Sequence, residues 1–220
     1  SSRMKKTRVK LASDNKVHIS SVLIHSTQDI IDAITDIMKE SFIDDKHKVW
    51  IKGKEIGKGG FSSVYYCRND EFAALKFSKS ESEHDRELKA YMCLGSSSFI
   101  PRLIGYNRDN KLLILQKYEM DLKKMLTMNP CTNQLHRISQ NVIDSLQYIH
   151  SHGVVHCDIK PANIFISTSG TATIGDFGLL REYKDRIYNI DPSLMRDGTL
   201  KYMSSDMCSS VHPPRRSDME

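Results

Sequence analysis

No stretch of the 220-residue chain approaches the ~20 consecutive apolar residues that a membrane helix requires. Glycine (11) and proline (6) are sparse, which excludes collagen-like and low-complexity classes, and no internal repeat appears. The five cysteines, Cys67, Cys93, Cys131, Cys157 and Cys208, form an odd set with no C-x-x-C pair, so neither a disulfide framework nor a zinc site is indicated. Ser1 to Lys10 carries five basic residues with no apolar segment behind them, unlike a secretory signal. An intracellular protein, cytoplasmic and/or nuclear and without a membrane partner, is expected. A single-sign charge field is also lacking. Lys and Arg (32) exceed Asp and Glu (27) by only five, and the basic clusters, Arg3 to Lys10 and Arg215-Arg216, form no continuous stripe, so a nucleic-acid partner is not expected. What remains is 39% hydrophobic and 27% charged, ordinary for a globular chain long enough to bury a core in one domain or two small lobes.

The periodicity changes along the chain. Ser26 followed by Asp29 resembles a capping box, and Ile30, Ile34, Ile37, Met38 and Phe42 recur at helical spacing, predicting an amphipathic helix near 27–42. From Val49 the pattern alternates as strands do, with breaks at Gly57 to Gly60 and at Arg68-Asn69-Asp70, which predicts an antiparallel meander through Phe77. A charged helix over about 81–94 follows, then strands near 103–106 and 112–115. Leu135, Ile138, Val142, Leu146 and Ile149 predict a long amphipathic helix stopped by Gly153, followed by short strands at 163–167 and 171–175 joined through Ser169-Gly170.

Several segments carry chemistry. Gly57-Lys58-Gly59-Gly60-Phe61-Ser62-Ser63-Val64 lies between two strands, where glycines let backbone approach a phosphate and Val64 can cover a flat base. Taken alone, such a cluster is also what a loose hairpin contains. Nineteen residues after Gly57, Ala73-Ala74-Leu75-Lys76 places a lysine in an apolar strand, which is costly unless it meets an anion or snorkels from an edge. Then come His156-Cys157-Asp158-Ile159-Lys160-Pro161-Ala162-Asn163 and, eighteen residues after Asp158, Asp176-Phe177-Gly178.

These last segments resemble the catalytic loop and magnesium-binding motif of eukaryotic protein kinases, and the resemblance runs from about residue 50 to 220 in the family's order and spacing. It implies an α+β, bilobal fold: an N-terminal extension (1–48), a small antiparallel-sheet N-lobe (49–118) and a mainly helical C-lobe (119–220). It also implies a serine/threonine protein kinase using ATP and Mg2+ on protein substrates. In that reading Asp158 accepts or orients the substrate hydroxyl proton, Lys160 reaches the γ-phosphate, and Thr199 supports both. Asn163 and Asp176 hold magnesium. Gly57, Gly59 and Val64 line the nucleotide, Lys76 grips its α- and β-phosphates, and Glu87, chosen over Glu81 and Glu83, holds Lys76 in place. Ala74 lies against the base, next to a hinge at Gln116-Lys117-Tyr118.

The chain departs from the pattern in places. Ser62 stands where a third loop glycine is usual. Cys157, expected as a small buried filler, replaces the arginine that often precedes the catalytic aspartate, which implies activity independent of activation-loop phosphorylation. The Ala-Pro-Glu segment is absent; Gly198 to Asp206 and the ending Arg215-Arg216-Ser217-Asp218-Met219-Glu220 resemble the casein kinase I and vaccinia-related kinase group, with kinases of translation initiation factor 2 alpha as second choice. Asp218 would begin the buried helix that organises the large lobe. Relative to the family the C-lobe stops early, so a fragment or a naturally short protein is expected, with an apolar stripe that attracts a partner. The competing expectation is a weakly active or inactive kinase fold that binds nucleotide or substrate as a decoy.

Overall fold

The structure is a computed structural model and describes residues 9–11, 17–19 and 27–182. Val9–Leu11 (β1) and Val17–Ile19 (β2) form an antiparallel pair. The chain divides into two compact units, one formed by Ser1–Lys79 with Ile104–Leu115, the other by Ser80–Leu103 with Gln116–Glu220.

In the first unit, helix α1 (Thr27–Lys39) precedes strands β3 (Ser41–Ile43), β4 (Val49–Lys58), β5 (Ser62–Cys67), β6 (Ala73–Ser78), β7 (Leu103–Asn107) and β8 (Leu112–Gln116). They make a six-stranded sheet in the order β3-β4-β5-β6-β8-β7, with β4, β5 and β6 forming the expected antiparallel meander. The helix is shorter than its spacing predicts. Phe42 pairs with Trp50 in the sheet and sets its ring edge-on to Phe77 at 4.9 Å, so packing of an aromatic side chain overrides the helical period after Lys39. No residue of α1 is buried; Ile31, Ile34 and Met38 are half exposed or more.

Asp44 organises the β3–β4 turn: its carboxylate accepts from the amides of Lys46 (2.9 Å) and Lys48 (2.8 Å) and from the buried Trp50 indole (2.8 Å). Beside it, the Asp45 amide donates to Tyr106 O, the Tyr106 amide donates to the Asp45 carboxylate, and the Asn107 amide donates to Ile43 O. These bonds tie the outer strands β3 and β7 together and cover edges that would otherwise be open for pairing. Trp50, Cys67, Ala73, Leu75, Leu112 and Ile114 fill the interior.

The second unit contains α2 (Glu81–Leu94), β9 (Met120–Asp121), α3 (Leu122–Leu126), α4 (Thr132–Ser151), β10 (Val154–Val155), β11 (Ile164–Ile166), β12 (Ala172–Ile174) and β13 (Arg181–Glu182), with 3-10 turns at Pro161–Asn163 and Phe177–Leu179. Ser80 and Glu83 close a capping box at the start of α2. Although α2 falls between sheet strands in sequence, it groups with this unit, and it buries His84, Glu87, Leu88, Ala90, Tyr91 and Leu94. Helix α4 buries Ile138, Ser145, Leu146 and Ile149, and Gly153 beyond its end takes the positive φ of 70° that favours glycine. No helix among the described residues is long and apolar enough to cross a membrane.

Candidate active site

The catalytic-loop residues converge in the second unit. Strand β11 pairs antiparallel with β12, with Ile164 opposite Ile174, and the Gly175 amide donates to Asn163 O at 3.0 Å. Asn163 and Asp176 therefore stand at the same end of one hairpin. Pro161 opens the 3-10 turn that carries Asn163 out of the loop, with its fixed φ already suited to a helical turn.

Asp158 is held from three sides. Lys160 Nζ lies 2.6 Å from Oδ2, Asn163 Nδ2 donates to Oδ2 at 3.0 Å and to the Asp158 carbonyl at 2.9 Å, and the Asp158 amide donates to His156 Nδ1 at 3.2 Å. Because an amide can only donate and a carbonyl only accept, His156 carries its proton on Nε2 and gives it to Gly175 O at 2.9 Å. The fully buried imidazole thus couples the Asp158 loop to the residue preceding Asp176. The role of His156 is not evident from sequence, where its one signal is a polar ring directly after the apolar pair Val154-Val155.

Cys157 and Asp176 both adopt left-handed backbone, at φ 65° and 66°, a conformation costly for residues with a Cβ and found preferentially at functional sites. Cys157 is buried, packs with Val155 and Leu179, and directs its thiol to Val155 O at 3.8 Å. Phe177 is also fully buried, edge-on to Tyr91 of α2 at 5.0 Å and to His156 at 5.5 Å. The Arg86 guanidinium, also on α2, donates to Gly178 O at 3.1 Å. Burial pushes the Tyr91 phenol well above its usual range, and the carboxylates of Glu87 and Asp176 add to that shift. Both acidic groups therefore act on one interior region. Of the three acidic candidates on α2, Glu87 is only 2% exposed, Glu83 serves the capping box and Glu81 is exposed. Tyr118 lies 5.8 Å from the Phe165 ring, its phenol raised by burial, while Gln116 closes β8 and its amide donates to Arg102 O.

The first unit carries the phosphate-loop candidates. Gly57 pairs with Val64 across the β4–β5 hairpin, Lys76 pairs with Val64 on the next strand, and Ala74 lies further along β6. Lys76 is buried, at 6% exposure, as is Ala74. A Cβ added at Gly57 or Gly59 would meet nothing nearer than 3.7 Å, at Gly60 nothing within 4 Å, and none of the three has a positive φ. Their glycines are thus not required by the fold around them. By contrast, a Cβ at Gly105 would stand 2.6 Å from Asp44 Oδ2, and one at Gly175 would stand 2.8 Å from Phe165 and Pro101. Space left open on a hairpin tip suits a ligand that approaches the backbone closely.

Within the second unit, the side chains of Asn163 and Asp176 offer oxygen atoms that fit magnesium. Asn163 commits its NH2 end to Asp158 and keeps the oxygen end of the amide as an acceptor, and Asp176 supplies a carboxylate; both are the hard oxygen ligands magnesium prefers. No group of three or more His, Cys, Asp or Glu that could hold a metal ion occurs among the described residues. Thr199, Asp218 and the segments Gly198 to Asp206 and Arg215 to Glu220 lie outside the described residues.

A six-stranded sheet in one unit and, in the other, helices with a candidate Asp-Lys-Asn catalytic loop are the parts of a phosphotransfer domain. The family comparison agrees: residues 50–219 match the protein kinase domain, and the chain belongs to that family. It is 26% identical over 191 residues to mitogen-activated protein kinase kinase kinase 17 of Arabidopsis thaliana, covering 77% of this chain and 48% of that one. It is 28% identical over 183 residues to a probable casein kinase I homolog of Encephalitozoon cuniculi (76% and 58%), and 27% identical over 203 residues to a probable serine/threonine-protein kinase of Fowlpox virus (78% and 67%). The chain spans about half the length of the Arabidopsis relative.

Proposed function

We propose that the chain is a serine/threonine protein kinase that moves the γ-phosphoryl group of ATP to a protein hydroxyl. The observation that carries this reading is the Asp158 carboxylate fixed by Lys160 and Asn163 on a strained loop. Asp158 orients the hydroxyl and takes its proton as the oxygen bonds to the γ-phosphorus and the bond to the bridging oxygen of ADP breaks. Lys160, already 2.6 Å from Asp158, neutralises charge on the transferring group. Lys76 holds the α- and β-phosphates, with Glu87 as its carboxylate partner. Gly57, Gly59 and Val64 cover the nucleotide, and Ala74, Gln116 and Tyr118 border the base. Asn163 and Asp176 would hold magnesium, whose charge would screen the phosphate oxygens. Thr199 supports Asp158 and Lys160. The casein kinase I and vaccinia-related group is the favoured subfamily, supported by a casein kinase I homolog among the relatives and by the Arg-Arg-x-Asp-hydrophobic-Glu ending.

Asp158→Asn keeps the shape of the side chain and removes its basicity. Transfer of radiolabelled phosphate to a mixed protein substrate should fall by at least about a hundredfold, with magnesium-ATP binding by calorimetry retained. Equal incorporation by wild type and variant would remove Asp158 from this role. Binding without any transfer by the wild type would favour the decoy reading.

A further inference from the structure

Lys79 follows β6 and makes three bonds to the tip of the glycine-rich loop within the first unit. Its ammonium donates to Gly59 O at 3.0 Å and Gly60 O at 2.6 Å, and its backbone amide donates to Phe61 O at 2.9 Å. Three successive carbonyls are thus turned toward one residue. In a planar trans peptide the N–H points opposite to the C=O, and the described chain contains no cis bond. The amides of Gly60, Phe61 and Ser62 therefore face away from Lys79 as a row of donors, the arrangement that makes an anion-binding concavity. The glycines impose no such arrangement themselves, since none has a positive φ and the loop has room for a Cβ at each.

We propose that Lys79 is a positioning residue that holds the glycine-rich loop with its amides set for the phosphates of a nucleoside di- or triphosphate, an inference that rests on the nucleotide-binding reading above. Lys79 is exposed, so its removal should leave the fold intact. The distinguishing feature is selectivity for phosphate over base. A residue that fixes loop amides affects every phosphate-bearing ligand and leaves adenosine alone.

The test compares wild type, Lys79→Met and Lys79→Arg, titrated with magnesium-ATP, magnesium-ADP and adenosine by calorimetry, together with hydrogen exchange of residues 57–63 in nucleotide-free protein. Lys79→Met should weaken ATP and ADP by roughly tenfold each, the scale of a lost hydrogen bond to a charged group. It should leave adenosine unchanged and accelerate exchange in the loop. Lys79→Arg, which keeps a cationic donor, should stay near wild type. Weakening of ATP without ADP, at unchanged exchange, would mean that Lys79 touches the terminal phosphate and would overturn the inference, as would equal weakening of all three ligands or no change in any. A wild type that takes up no nucleotide would overturn the functional reading itself, a result visible before any variant is made.

Discussion

The glycine-rich loop is held from outside, by an exposed lysine reaching its carbonyls, with open space at Gly57, Gly59 and Gly60. The catalytic loop is held from within. Its buried histidine bonds two backbone groups, its aspartate is fixed by a lysine and an asparagine, and Cys157 stays in left-handed backbone against its own preference. The difference follows from the chemistry each would serve. Proton transfer demands that Asp158 sit within a few tenths of an ångström of its target, which a buried network enforces. A loop that must admit and release a phosphate chain gains from weak, solvent-side restraints that cost little to loosen.

The sharpest way to break this comparison is to cut the internal network. His156→Leu fills similar space but removes the ring bonds to Gly175 O and the Asp158 amide. Each lost bond to a buried group costs about 1–3 kcal/mol, so thermal or urea unfolding should show a loss of roughly 2–6 kcal/mol. Transfer should fall on the order of a hundredfold as Asp158 drifts. A variant with unchanged melting and activity would show that the catalytic loop is held by other means.

Much of this division was legible in the residues. The charged pattern over Glu81–Leu94 and the stripe ending at Gly153 gave both helices close to their observed bounds, because burial of one face leaves a period that can be counted. The catalytic motif also carried enough spacing to place Asp158 and Asn163 near each other. Strand β3 was missed because Phe42 continues the helical spacing of Ile34 and Met38, and only its cross-strand partner Trp50 reveals the change. The sheet closure through Asp45 and Tyr106, separated by sixty-one positions, and the bond from Arg86 to Gly178 leave no local pattern at all. Lys79 was invisible for the same reason: its partners are backbone carbonyls, which every residue has.

A paired glycine experiment comes next in size. Gly105→Ala drives a Cβ to 2.6 Å from Asp44 Oδ2 and disturbs the carboxylate that binds the Trp50 indole, so the protein should lose about 1–3 kcal/mol of stability. Gly59→Ala meets no such obstacle, and its melting should stay within about 0.5 kcal/mol of wild type. Its magnesium-ATP affinity should nevertheless fall, because the added methyl occupies the space a phosphate would use. Should Gly59→Ala destabilise the protein as much as Gly105→Ala does, the loop glycines would belong to the fold rather than to a ligand.

The smallest expected effect is on regulation, and there the expected change is none. An arginine at position 157 would offer a cation to a phosphorylated activation segment, but Cys157 is buried and turned toward Val155 O. The start of that segment is instead held by interactions that need no phosphate. Val154 and Val155 pair with Glu182 and Arg181, the Leu180 amide donates to Phe177 O, and Arg86 on α2 takes Gly178 O. Phosphatase treatment of the purified protein should therefore leave the rate of phosphate transfer unchanged, while Arg86→Ala, which removes one of the standing restraints, should lower it by a few-fold, about the value of one charged hydrogen bond at an exposed position. Loss of activity on dephosphorylation, with Arg86→Ala indistinguishable from wild type, would show that a phosphate holds the segment and that the backbone ladder beside Cys157 is not sufficient.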